Sequence, residues 1–206
     1  PEISKNSGYL FKDGLLAAQK DWLWGYINKE NDVVIGFEYQ WVSNFYDGEA
    51  IVLKNEVFDL IDLTGKSVLD KTYEDLVRDA NTGNIKFVEK NLTGLMDNNG
   101  KIILEATYGS IGDFYEDRAV VKKDNKFGYI DEEGKLVVEC KYKYALRYSH
   151  GLAQVSTDGV TFGYINLDGE LVFPEIYTYG SVFNDYGQVI VSISSDLQNG
   201  VYQLVD

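Results

Sequence analysis

The sequence predicts an all-β fold built from tandem repeats of about 34 residues. Three observations predict it: a motif that recurs at that interval, short apolar stretches with period-2 alternation, and intervening turns rich in Gly, Asp and Asn. The 206 residues include 20 Gly, 16 Tyr and 2 Pro, a composition typical of strands joined by glycine turns. Apolar residues make up 45% of the chain, which is enough for a packed core and argues against disorder.

The first recurring motif joins an aromatic residue to Gly-Tyr-Ile and a polar turn. It reads WGYIN, FGYID and FGYIN in its three clearest copies, and it is degenerate in the others. Copies start at Trp24, Phe58, Thr93, Phe127, Phe162 and Tyr202. Successive starts are 34 or 35 residues apart, except the last, which follows after 40.

A second motif recurs in phase with the first. It combines an aromatic residue, an acidic or glycine turn, and small and β-branched residues in alternation. It reads FKDGLLAA from Phe11, FYDGEAIV from Phe45, FYEDRAVV from Phe114 and YSHGLAQV from Tyr148. Two independent motifs with one period make coincidence improbable, so we interpret the chain as a repeat protein.

Each repeat is predicted to contain three short antiparallel strands. The first is typified by the stretch from Leu152 to Val155, the second by Phe127 to Ile130 and the third by Lys135 to Glu139. An Asp-x-x-Gly or Asn-x-x-Gly turn joins the second strand to the third in four copies. In such a turn the first side chain accepts a backbone hydrogen bond from two residues on, and the glycine adopts a left-handed conformation.

The second strand decides the predicted architecture because it is apolar on both faces. One face carries aromatic residues and Leu, and the other carries Ile and Met behind a Gly. A three-stranded meander cannot bury that much surface alone, so consecutive meanders must stack. The chain starts and stops in mid-repeat, which favours an open superhelical array over the alternative of a propeller-like ring completed by a split blade.

These residues carry a family resemblance. The WGYIN and FGYID segments, with the following Tyr and the F-x-D-G-x-A-x-V motif, resemble the WG-repeat (KWG-repeat) family of bacterial proteins. The resemblance covers nearly the whole chain and implies one repeat domain, 1–206, of five to six repeats with both terminal repeats incomplete. It also implies a β-rich interaction module of unknown function, with no catalytic residues in the motif.

Composition excludes several classes of function. The net charge of −14 argues against nucleic acid as a partner, and no apolar run approaches the ~20 residues needed for membrane insertion. The acidic turn from Asp97 to Gly100 lacks the ligand spacing of a calcium loop, and a single His excludes a His-rich zinc site. His150 occupies a turn position and Cys140 follows a strand, so we expect no catalytic residue, metal or cofactor.

Aromatic residues outside the repeat consensus are the candidates for ligand contact. They are Trp22, Trp41, Tyr144 and Tyr179. The last three share one position, four residues before the second motif. We expect a non-enzymatic scaffold that binds another protein, with a carbohydrate or cell-envelope ligand as the alternative. The sequence leaves compartment and oligomeric state open.

Overall fold

The computed structural model describes residues 10–180, 187, 189–192 and 202–205. This part of the chain forms 21 strands in six antiparallel sheets, which confirms the predicted all-β fold. Within these residues no helix has the length and apolarity needed to cross a bilayer.

The chain divides into two compact units. The first comprises Pro1–Arg78 and Gly83–Ala106, and the second comprises Asp79–Thr82 and Thr107–Asp206. Whether they act as the single repeat domain expected from the sequence stays a prediction, as does the choice between an open array and a ring.

Three sheets belong to the first unit, although the last two residues of β10 fall in the second. Their strands are β1 (Leu16–Lys20), β2 (Leu23–Ile27) and β3 (Val33–Tyr39); β4 (Trp41–Val42), β5 (Glu49–Lys54) and β6 (Val57–Asp62); and β7 (Asp75–Arg78), β8 (Ile85–Glu89), β9 (Leu92–Met96) and β10 (Ile102–Tyr108).

Three further sheets belong to the second unit. Their strands are β11 (Ser110–Tyr115), β12 (Arg118–Lys123), β13 (Lys126–Ile130) and β14 (Leu136–Tyr142); β15 (Tyr144–Ala145), β16 (Leu152–Ser156), β17 (Phe162–Asn166) and β18 (Leu171–Tyr177); and β19 (Tyr179–Gly180), β20 (Val189–Ser192) and β21 (Tyr202–Val205).

Four complete triplets are present in the part of the chain that the structure describes, and an additional strand precedes several of the predicted first strands. The triplet β12–β13–β14 matches the predicted order, and β11 pairs with β12 as an extra strand at the sheet edge. Except for β7, the extra strand starts two residues after the preceding sheet ends; β14, for example, ends at Tyr142 and β15 begins at Tyr144. Strands β4, β15 and β19 contain two residues each, which is too short for an alternation signal in the sequence.

The turns between the second and third strands have the predicted chemistry. The Gly134 nitrogen donates to the Asp131 carbonyl oxygen at 3.0 Å, and Gly134 has a φ of 77°. The carboxylate of Asp62 accepts a hydrogen bond from the nitrogen of Thr64, two residues on, at 2.8 Å. Asn31 takes the glycine place in the first copy with a φ of 69°, which confirms its role there.

The middle strand of each triplet is buried on both faces, as predicted. Tyr129 and Ile130 of β13 are fully buried on opposite faces. Gly128 lies against the irregular third strand, where a Cβ atom would come within 2.4 Å of the Val138 carbonyl oxygen. The motif glycine is therefore required by a close backbone approach.

Consecutive sheets within a unit stack as expected and share a core. In the second unit, one hydrophobic cluster combines Tyr129 and Val138 of one sheet with Ala153, Val155 and Ile165 of the next. The Tyr129 hydroxyl donates to the Leu146 carbonyl oxygen of the next sheet at 2.7 Å. Its counterpart in the first unit, Tyr26, donates in the same way to the carbonyl oxygen of Ser43, at 2.9 Å.

Turn carboxylates add a second link between repeats. The Asp13 carboxylate accepts a hydrogen bond from the Gly48 nitrogen at 3.0 Å, 35 residues on. In the second unit the Glu116 carboxylate accepts one from the Gly151 nitrogen at 2.8 Å, again 35 residues on. Several acidic turn residues therefore hold the next repeat in register.

Candidate binding surfaces

Trp22 lies at the tip of the β1–β2 hairpin and is 88% exposed. The two turn residues, Asp21 and Trp22, have φ values of 53° and 68°, as required in a type I′ turn. Three two-residue turns at the corresponding place in other sheets repeat this geometry with polar residues at both positions. They are Asn55-Glu56, Lys90-Asn91 and Asp124-Asn125. A bulky aromatic residue is uncommon in this conformation.

Trp41 and Tyr144 occupy equivalent positions at the starts of β4 and β15. Each packs edge-on against a phenylalanine of its own sheet: Trp41 against Phe58 at 6.3 Å between ring centroids, and Tyr144 against Phe162 at 5.2 Å. Their exposed fractions are 42% and 36%, so each ring is partly structural and partly available. A sugar-binding role for this position stays a prediction.

Tyr179 begins β19, but its side chain lies outside the described residues. The structure therefore does not test its proposed contact with a ligand. Trp22 differs from the residues of the shared position because it sits in a hairpin turn rather than at a strand start.

The first unit contains a cavity of about 560 Å³ with Trp41 in its wall. Apolar walls come from Ile51, Phe58 and Leu76, and Arg78 contributes a charged group. The Arg78 guanidinium carbon lies 4.8 Å from the Tyr46 ring centroid. Burial lowers the pKa of Arg78, and sequence reasoning missed this residue because β7 lies in the most degenerate repeat.

The second unit contains a cavity of similar volume, about 560 Å³, between strands β11 and β15. Its wall includes Asp113, Arg147 and the buried side chain of Gln154. The Arg147 guanidinium carbon lies 4.1 Å from the centroid of the Tyr115 ring, a distance typical of stacking. The sequence signal for Gln154 was available: it is a polar residue where two other copies carry Ile51 and Val120.

His150 and Cys140, the residues considered for nucleophilic chemistry, lie in a turn and in a strand of the repeat fold. His150 is exposed in a turn with a φ of 55°, and its Nδ1 lies 3.0 Å from Oγ of the adjacent Ser149. Cys140 is half-buried in β14, where burial raises the pKa of its thiol and so disfavours the thiolate.

The carboxylates of the acidic turns accept hydrogen bonds from main-chain N–H groups. The Asp97 Oδ1 atom accepts hydrogen bonds from the nitrogens of Asn99 and Lys101, at 3.0 Å and 2.9 Å. Over the described ranges of the chain, no group of three or more His, Cys, Asp or Glu side chains is arranged to hold a metal ion.

Sequence comparison identifies the repeats. The family model described as "WG containing repeat" matches residues 24–58, 94–127 and 127–160. The chain belongs to the WG-repeat family. The matches agree with the resemblance noted from the motifs, and no curated protein sequence shows a significant match.

The stretch between the first two matches of the WG-repeat family shows what the motif glycine does. Asp59 replaces the glycine there, and the segment that follows makes two isolated bridges, Phe58 to Tyr73 and Ile61 to Ser67, in place of a regular third strand. Gly128 and Gly163, by contrast, each face a third strand that passes within contact distance.

Several solved structures align with this WG-repeat protein over most of its length. A crystal structure described as "the eukaryotic initiation factor" has a TM-score of 0.52 at 11% identity, and the alignment covers 97% of this chain and 63% of that one. Hsv2p of Kluyveromyces lactis has a TM-score of 0.42 at 15% identity, with 93% and 71% covered. The WD40 β-propeller domain of Doa1 has a TM-score of 0.34 at 15% identity, with 99% and 77% covered.

Proposed function

We propose that this WG-repeat chain is a non-catalytic β-repeat scaffold that binds a partner protein, with Trp22 as an anchor. The observation that carries the proposal is the state of Trp22, which is 88% exposed and adopts a left-handed backbone conformation. Both features are unfavourable for the isolated chain: the conformation costs roughly 1 kcal/mol, and the indole gains little by burial.

A partner protein would recover this cost. Tryptophan is enriched among the residues that dominate binding energy at protein interfaces, where the ring fills a pocket on the partner. The neighbouring Leu23 is also partly exposed, which extends the apolar surface at the hairpin tip. The turns of three other sheets place polar residues here, so the fold itself does not require an aromatic side chain.

The proposal is tested by affinity capture from an extract of the source organism, followed by titration of each purified candidate partner. We expect the Trp22→Asn variant to bind at least about 30-fold more weakly than the wild type. Loss of a hot-spot residue that contributes ~2 kcal/mol of binding free energy weakens affinity by about that factor. Affinity should depend weakly on salt because the contact is apolar.

The matched control is Asn125→Asp at the corresponding turn position of the β12–β13 hairpin, which should leave affinity unchanged. Retention of full affinity by Trp22→Asn would contradict the proposed anchor. Turnover of a substrate, abolished by one carboxylate substitution, would contradict the non-catalytic role.

A further inference from the structure

The cavity of the second unit combines several polar and charged side chains. It measures about 560 Å³, within the range of small-molecule sites, and lies between the first strands of two neighbouring sheets. Its polar wall consists of Asp113, Arg147, Ser149, Gln154 and Tyr164, and Val120 and Leu152 provide apolar surface.

Gln154 is the most informative of these residues. Its side chain is 7% exposed; corresponding positions in other repeats carry Ala17, Ile51 and Val120, and one carries a second buried polar residue, Lys86. Burying a carboxamide is costly unless its hydrogen bonds are made, whereas an aliphatic side chain at this position packs without that cost. A carboxamide buried at this position must therefore make its hydrogen bonds to be tolerated.

The hydrogen bonding of Gln154 also departs from the repeat pattern. Its Nε2 atom donates to the Tyr164 hydroxyl at 3.1 Å. Ala17 and Val120, which stand opposite Tyr26 and Tyr129 at the same position, cannot make such a bond, so Gln154 adds a side-chain hydrogen bond to the tyrosine of its own sheet. A carboxamide offers two N–H donors and an acceptor oxygen, so Gln154 has the capacity for further bonds to a ligand in the cavity.

Arg147 and Asp113 determine the charge of the site. Stacking on the Tyr115 ring at 4.1 Å limits the guanidinium to few orientations, which lowers the entropy lost when it binds a ligand. The Asp113 carboxylate lines the same cavity and offsets the positive charge of Arg147. Because the whole chain carries a net charge of −14, an anionic ligand would be repelled.

We propose that this cavity binds a neutral sugar. Hydroxyl groups both donate and accept hydrogen bonds, so vicinal hydroxyls match a wall that offers guanidinium and carboxamide donors together with carboxylate and carboxamide acceptors. The C–H faces of the sugar ring would pack against Val120 and Leu152. This site is independent of the proposed protein anchor, since Trp22 belongs to the first unit.

The experiment is a titration of the whole chain with neutral monosaccharides and disaccharides, followed by amide NMR signals and by calorimetry. We expect saturable shifts of the Gln154 side-chain amide signals and of backbone signals from residues 112–115 and 145–154. Gln154→Ile, which installs the side chain found in another repeat, should weaken binding at least about tenfold and leave thermal stability unchanged or raised.

Trp22→Asn serves as the control and should bind sugar like the wild type. Absence of a saturable shift with every sugar tested would overturn the proposal. Equal affinity of Gln154→Ile and wild type would overturn it as well, as would tighter binding of an anionic sugar such as glucuronate, or binding of an extended peptide in place of sugars.

Discussion

At the scale of single residues, the motif glycine and the exposed tryptophan have opposite relations to the fold. Gly128 is required because the Val138 carbonyl oxygen would lie 2.4 Å from a Cβ atom. Trp22 occupies a turn position where Asn would be more favourable, because Asn adopts a positive φ at a lower conformational cost. Packing explains why Gly128 is a glycine, but it does not explain why Trp22 is a tryptophan.

We expect Gly128→Ala to destabilise the chain by about 1–3 kcal/mol, because the third strand must shift to admit the methyl group. Denaturant unfolding measures the change. Gly36→Ala is the control: a Cβ atom there has nothing within 4 Å, so we expect a change of less than about 0.5 kcal/mol. Equal losses in the two variants would show that close approach is not the reason for Gly128.

Trp22→Asn should stabilise the chain by up to about 1 kcal/mol, because asparagine adopts the left-handed conformation at a lower cost. The reciprocal substitution Asn125→Trp, at a φ of 59°, should destabilise it by a similar amount. Thermal unfolding of both variants checks the pair. A loss of stability in Trp22→Asn would mean that the indole makes stabilising contacts in the free chain.

At the scale of secondary structure, the features that could be predicted are those encoded by residues close together in the sequence. The Asp-x-x-Gly turns and the doubly apolar middle strands were predictable because each depends on residues close together in sequence. The additional two-residue strands β4 and β15 could not be predicted. They form by pairing with β5 and β16 and contain too few residues for a sequence pattern.

The candidate site was less predictable for the same reason. Trp22 could be singled out because it departs from the consensus, but its exposure could not be predicted from the sequence. The cavity that brings Arg147 near Gln154 depends on how neighbouring sheets stack, and no local spacing encodes that arrangement.

The turn between β16 and β17 shows how a single carboxylate organises an element. Asp158 accepts hydrogen bonds from the nitrogens of Val160 and Thr161, at 2.7 Å and 2.8 Å, and from the hydroxyls of Thr161 and Ser156. These bonds favour the ionised form and hold the pKa of Asp158 below its ordinary value of 3.8. The stabilisation is therefore present above about pH 3.8 and is lost as pH falls through the lower pKa of the folded state.

Asp158→Ala should accordingly lower the unfolding temperature at neutral pH, and the difference from the wild type should shrink as the pH falls below about 3.8. Thermal unfolding across a pH series measures it. Asp168→Ala removes an exposed carboxylate from the following turn and should have a smaller effect at neutral pH. A difference for Asp158→Ala that stays constant with pH would contradict the role of the ionised carboxylate.

At the scale of the whole molecule, the repeats are joined by contacts that recur with the period of the sequence. Tyr26 and Tyr129 each donate a hydrogen bond to a carbonyl oxygen 17 residues on, in the next sheet of the same unit. Burial raises the pKa of the Tyr129 hydroxyl, so it stays protonated as a donor at ordinary pH. In repeat proteins such nearest-neighbour interfaces contribute to stability in a nearly additive way.

Tyr129→Phe should therefore cost about 1–3 kcal/mol, because it leaves the carbonyl oxygen of Leu146 without this donor in a partly buried place. Since the lost contact lies between two sheets of the second unit, amide hydrogen exchange should accelerate mainly in residues 107–180. Tyr26→Phe is the matched variant and should accelerate exchange mainly in residues 10–78. A uniform acceleration over both ranges in either variant would mean that the chain opens as one cooperative body, and that local sheet-to-sheet contacts do not set its stability separately.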